Sequence, residues 1–159
     1  MVNSKIATML WFDKDAEAAA NHYVNALPGS AITGIERYGA QGPGPAGSVM
    51  LVSFRLASSE FMALNGGPLF TPNESVSHMI YCDDQAEVDR LWASLSEGGK
   101  TSDCGWLKDR WGFSWQIVPR RLMEMMMSSD PAAKARAFGA MMTMTKLDIA
   151  ALEKAYGGA

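Results

Sequence analysis

The chain has 159 residues, of which 48% are hydrophobic and 19% charged, with a net charge of −3. That balance excludes a disordered chain, which needs low hydrophobicity and high net charge. The scattered Lys and Arg argue against a nucleic-acid partner, and no apolar run approaches the roughly 18 residues of a membrane span.

The N-terminal MVNSKI lacks the charged-then-apolar build of a signal peptide, so the expected compartment is the cytoplasm. Thr8–Glu17 (TMLWFDKDAE) reads as a short apolar strand running through acidic residues into a helix. Ala16, Ala19, Ala20, Tyr23, Val24 and Leu27 make the buried stripe of that helix, and Pro28–Gly29 end it. Strands follow at 31–38, 49–56 and 60–65. Between the first two, GAQGPGPAG (39–47) is rich in Gly and Pro and reads as a hairpin tip.

Seventy residues after the first strand the pattern returns: His78–Glu87 (HMIYCDDQAE) matches Thr8–Glu17 with Met9/Met79, Asp13/Asp83, Ala16/Ala86 and Glu17/Glu87 identical. Asp84 and Glu87 form a capping box. Val88, Leu91, Trp92 and Leu95 lie at helical spacing, and Gly98–Gly99 stop the helix. Two strands, 104–108 and 113–119, complete this half with a turn at 109–112. From Arg120 the chain reads as helical: Asp130–Pro131 caps a helix expected to run to about Thr145, and Asp148 opens a last one with Ile149, Leu152 and Tyr156 on one face. Seven of the twelve methionines fall between Met123 and Met144 and read as adaptable filler that packs the tail onto the body or a second subunit.

The strings LWFDKDAEAA (10–19), FMALNGGP (61–68), DQAEVDRLW (84–92), CGWLKDRWGFSWQIVP (104–119) and MTKLDIAALEKAY (144–156) carry a family resemblance. The chain resembles the PhnB-like branch of the vicinal oxygen chelate superfamily, which also bears the label 3-demethylubiquinone-9 3-methyltransferase. The fold this implies is α+β: two βαβββ modules, about 5–70 and 75–119, plus a helical tail at 120–156, forming a single glyoxalase-like domain over 1–159. The resemblance further implies two sheets curled around one cavity and assembly as a homodimer.

Metal-dependent relatives in that superfamily place a His on the first strand of each module and a carboxylate on the last. The matching positions here are Thr8 and His78, then Met62–Ala63 and Gln116, of which only His78 is an ordinary ligand type. The expectation is therefore no cofactor, with His78 the ligand if a divalent metal does bind. No Gly-rich turn stands between a strand and a helix, so no S-adenosylmethionine site is recognised. Cys82 lies four strand residues from His78, about 13 Å and too far for a hydrogen bond, so it reads as apolar filler. Arg37, Arg55 and Lys108 form no basic cluster, which leaves a phosphonate ligand weakly supported.

What remains is a small-molecule pocket. Strand alternation groups Thr8, Leu10 and Phe12 with His78, Ile80 and Cys82. If that set faces the cavity, Trp11 and Tyr81 face the helices. Ser114, Gln116 and Val118 share a face of the last strand. The pocket candidates are Thr8, Asn65, His78, Trp106, Ser114 and Gln116, although Trp106, Trp111 and Trp115 also suit core or dimer packing. The function expected is binding of an unidentified small molecule without a metal. The alternatives are a metal-dependent lyase, isomerase or dioxygenase using His78, and the methyltransferase of the family label.

Overall fold

The structure, a computed structural model, describes residues 5–158. The chain divides into two compact units, Met1–Pro72 and Asn73–Ala159, a division that falls in the gap between the two expected modules.

In the first unit the order is β1 (Thr8–Phe12), α1 (Ala16–Ala26), β2 (Ala31–Arg37), β3 (Val49–Leu56) and β4 (Ser59–Asn65). The second repeats it: β5 (Ser77–Cys82), α2 (Gln85–Ser96), β6 (Lys100–Thr101), β7 (Trp106–Lys108) and β8 (Ser114–Pro119), followed by α3 (Arg120–Met127), α4 (Pro131–Met141) and α5 (Ile149–Gly157). Each unit carries a four-stranded sheet, ordered β1-β4-β3-β2 and β5-β8-β7-β6. In both, the first strand runs parallel to the last, and the remaining pairs are antiparallel. The α+β reading with paired βαβββ modules and a helical tail is therefore the observed architecture.

Helix packing decides which face of each sheet is covered. Tyr23 of α1 lies 6.3 Å from the ring of Phe54, and Phe54 stacks on Phe61 at 5.4 Å. Phe61 stands opposite Thr8 in the β1–β4 ladder, and directly paired residues point to the same side. Thr8, Leu10 and Phe12 thus face α1, and Met9 and Trp11 face away. In the second unit Leu107, Trp115 and Ile117 are buried with Val88, Leu91 and Leu95 of α2. His78 stands opposite Trp115, so His78, Ile80 and Cys82 lie on the α2 side, leaving Met79 and Tyr81 on the other.

Local chemistry explains the helix ends. The carboxylate of Asp84 accepts from the Glu87 N–H, and Glu87 returns to the Asp83 N–H, a capping box displaced by one residue from the usual reciprocal pair. Asp130 accepts from the N–H groups of Ala132 and Ala133. Helix α4 stops at Met141, short of the expected Thr145: the Thr143 and Met144 N–H groups donate three residues back, to the Ala140 and Met141 carbonyls, and the carbonyls of Met144 and Thr145 accept from the backbone N–H groups of Cys104 and Gly105. Those carbonyls serve the second sheet instead of a further helical turn. The tail closes its own apolar cluster of Val118, Leu122, Met125, Ala137, Leu147 and Leu152, with Met123, Met126, Met141 and Met144 packed against it.

Candidate functional site

The sequence-predicted residues separate into three places. Thr8 and His78 lie beneath the helices. His78 sits with its ring 5.0 Å from that of Trp115, and burial lowers its pKa, with the charge of Asp109 opposing the shift. Cys82 shares this side, fully buried, and burial pushes its thiol up to about 12. It is an inert filler there, not a nucleophile.

A depressed histidine pKa has a testable consequence. The folded chain binds this proton less readily than the unfolded chain, whose ordinary value is 6.5. Stability contributed by neutral His78 is complete above that value and is lost as pH falls below it. Urea unfolding between pH 8 and 5 should show this decline, and His78→Phe should flatten it. An unchanged slope in the variant would remove His78 from the account.

Asn65 lies at the second place, the end of β4, where its side chain closes the fold. Its Oδ1 accepts from the Ala16 N–H at the start of α1, and its Nδ2 donates to the Val49 carbonyl. The Tyr38 hydroxyl donates to the Asn65 carbonyl. Gly66 follows because a Cβ there would stand 2.2 Å from the Trp11 ring, whose indole N–H donates to the Gly67 carbonyl. The LNGGP string is thus a lock between strand and helix. A cleft of about 540 Å³ opens beside it, lined by Asp13, Lys14, Glu17 and Tyr38 among others. Here both the Asn65 amide and the Tyr38 hydroxyl are spent on backbone.

The third place brings Trp106, Ser114 and Gln116 together on the face of the second sheet turned away from α2. A cleft of about 370 Å³ is lined by Trp106 and Ser114 with Glu74, Lys100, Cys104 and Lys108. The ladders set a row across this face: Lys100 opposite Lys108, Lys108 opposite Ser114, and Ser114 opposite Ser77. One step along, Trp106, Gln116 and Met79 form the next row, and Gln116 Nε2 donates to Ser77 Oγ at 2.8 Å. Ser114 is 2% exposed, and its hydroxyl has no hydrogen-bond partner among the described residues. Such an orphan is uncommon in a folded protein and calls for a cause. Lys108 reaches the Glu74 carboxylate, which that contact holds below its usual range.

Sequence reasoning missed Lys100 and Glu74. The two-residue strand β6 is too short to show alternation, so the position of Lys100 beside Lys108 left no signal.

A divalent centre of the expected kind does not fit these residues. His78 and Gln116 lie on opposite faces of the sheet. The residue beside Gln116 on its own face is Met79, and the corresponding pair in the first unit is Met9 with Met62. Among the described residues no group of three or more His, Cys, Asp or Glu side chains could hold a metal ion. Nor does either strand-to-helix turn suit a nucleotide-type methyl donor. Both are acidic, Asp13–Lys14–Asp15 and Asp83–Asp84, whereas such sites use Gly-rich turns whose N–H groups meet the ligand.

A family model described as 3-demethylubiquinone-9 3-methyltransferase matches residues 4–118, nearly three quarters of the chain. The chain belongs to that family. Among solved structures it is similar to a PhnB protein from Bacillus cereus, described as a 3-demethylubiquinone-9 3-methyltransferase. The two share 32% identity over 73% of this chain and 99% of that one, with a TM-score of 0.66. Protein PA1353 from Pseudomonas aeruginosa matches at 23% identity over 74% of this chain and 98% of its own, TM-score 0.61. The fosfomycin resistance protein FosX from Listeria monocytogenes matches at 11% identity over 75% of this chain and 94% of its own, TM-score 0.50, a likeness of fold alone. No curated protein matches. The family match and the PhnB likeness make this a PhnB-like chain, and the FosX likeness is one of fold. The family match ends at Val118, so α3–α5 lie beyond it. Among the described residues no helix is long and apolar enough to cross a membrane.

Proposed function

We propose that this PhnB-like protein binds a small organic molecule on the helix-free face of its second sheet, without a divalent metal and without methyl transfer. The observation that carries this reading is that Ser114, whose buried hydroxyl has no partner among the described residues, lines a cleft together with the half-buried Trp106. An apolar surface with a few placed polar groups is the usual make-up of a small-molecule site. The displacement of His78 to the reverse face supports the metal-free part, and the acidic turns before α1 and α2 argue against S-adenosylmethionine. Assembly as a homodimer belongs to the same reading, with the exposed Met127, Phe138 and Met142 of the tail as candidate contacts.

Metal analysis of protein purified without chelator tests the reading, with calorimetry against S-adenosylmethionine alongside. The expected result is substoichiometric metal and no heat with the methyl donor. One bound ion per chain, lost in His78→Ala, would overturn it in favour of a metal-dependent enzyme. Light scattering of the same sample reads the dimer against the 17.2 kDa chain.

A further inference from the structure

We infer that the cleft beside Ser114 takes an organic oxyanion, a carboxylate or phosphate group carried on an aromatic or apolar body. The inference rests on the small-molecule reading above and names the class of ligand.

Two independent features of one row point to an anion. The first is the cross-strand pair of Lys100 and Lys108. Like charges placed directly opposite on one face repel, and a negative group between them relieves that repulsion. Here the Glu74 carboxylate does part of that work: it pairs with Lys108 and feels the charge of Lys100. Glu74 is 64% exposed at its side chain and comes from the segment before β5, not from the sheet. An exposed ion pair of this kind is weak and easily exchanged, so Glu74 holds the place a ligand oxyanion would take.

The second feature is Ser114, next in the same row after Lys108. The residue lines the cleft, and its hydroxyl is buried with no partner among the described residues. A hydroxyl donates to an oxyanion at the distance where a neighbouring ammonium also reaches it, and a hydrogen bond to a charged acceptor is stronger than a neutral one. The orphan is thereby satisfied on binding.

Trp106, one step along the same face, supplies the surface for the apolar part of the ligand. The two carboxylates on the cleft wall, Glu74 and Asp103, balance its two lysines. A bare inorganic anion therefore gains little, and the organic body is needed. The wall on this side is held by the tail, through the Cys104 N–H to Met144 carbonyl and Gly105 N–H to Thr145 carbonyl bonds. The site thus depends on residues outside the family match.

Calorimetric titration of the full chain with benzoate, phenyl phosphate, neutral benzyl alcohol and inorganic phosphate tests this. Either aromatic anion should bind at least about tenfold more tightly than benzyl alcohol or phosphate, and the difference between the two anions identifies the headgroup. Ser114→Ala should weaken the anion about tenfold, the worth of a hydrogen bond to a charged group. It should not lower thermal stability, because the hydroxyl it removes is unpartnered. Lys108→Gln should weaken binding similarly, and Glu74→Gln should tighten it about threefold by removing the internal competitor. Benzyl alcohol binding as well as benzoate would overturn the oxyanion while leaving a small-molecule site. Anion binding unchanged in Ser114→Ala, or no binding by either aromatic anion, would also overturn it. A stoichiometric metal, by contrast, is the result that defeats the metal-free reading.

Discussion

Replacing Asp109 by alanine should destabilise the protein by about 3 kcal/mol or more, the cost of removing one carboxylate that serves three donors, the buried Trp115 indole among them. Asp109 is 3% exposed at the turn between β7 and β8. Its Oδ1 accepts from the N–H groups of Trp111 and Phe113 at 2.9 and 3.0 Å, and its Oδ2 accepts from the Trp115 indole at 2.8 Å. One carboxylate therefore shapes the turn and anchors the largest buried side chain of the second sheet. Alanine removes the acceptor of all three of these bonds. With a urea dependence of roughly 1–3 kcal/mol per molar, the unfolding midpoint should drop by about 1 M or more. The conservative variant Asp109→Asn keeps an oxygen for the two backbone donors but turns an amide toward the indole, so a smaller loss is expected. A midpoint within 0.3 M (roughly the scatter of such extrapolations) of the parent for Asp109→Ala would refute the assignment.

Gly99→Ala should cost about 2–3 kcal/mol, the range for forcing extra volume into a packed site, and should abolish oxyanion binding as it lowers stability. A Cβ at Gly99 would stand 2.1 Å from the Lys108 carbonyl oxygen and 2.7 Å from the Asp109 carbonyl carbon. Both are backbone atoms, so no side chain can swing aside, and β6 must move away from β7. That movement separates Lys100 from Lys108 and dismantles the row that meets the ligand. Gly139→Ala is the matched control. It lies within α4 with nothing within 4 Å of the new Cβ, so it should leave binding unchanged and raise stability by about 0.5–1 kcal/mol. Equal melting temperatures for Gly99→Ala and the parent would show that the close approach is not sustained in solution.

Much of the architecture was legible before any coordinates. The seventy-residue repeat of strand, acidic turn and helix predicted two similar modules, because each element carries its own period. The strand at 49–56 has the expected bounds, and α2 buries Val88, Leu91 and Leu95 as its spacing requires. The capping residues Asp84, Asp130 and Asp148 were readable for the same reason: a cap acts within its own turn.

The facing of the strands was not legible. In β1 the set Thr8–Leu10–Phe12 and the set Met9–Trp11 are both largely apolar. Alternation sorts residues into two faces but gives no preference for which one a helix covers. The sequence-based choice put Thr8 and His78 in the cavity and Trp11 and Tyr81 under the helices. Packing of Tyr23 on Phe54 and of His78 on Trp115 reverses it. That reversal takes the one histidine considered as a metal ligand away from Gln116. It leaves Trp106, Ser114 and Gln116 as the sequence-predicted residues that do share a surface.

The boundary between what the chain alone determines and what the fold decides follows the range of the interactions. Composition, periodicity, caps and the repeat act over a few residues to a few turns, and they determined the class, the modules and the family. The cleft depends on contacts between segments far apart in sequence: Lys100 beside Lys108 through a two-residue strand, Glu74 reaching Lys108, and the tail carbonyls 144 and 145 bonded to 104 and 105. None of these has a local signature. Whether Ser114 has a partner is a property of every atom around it, and only the tertiary structure could show that it has none.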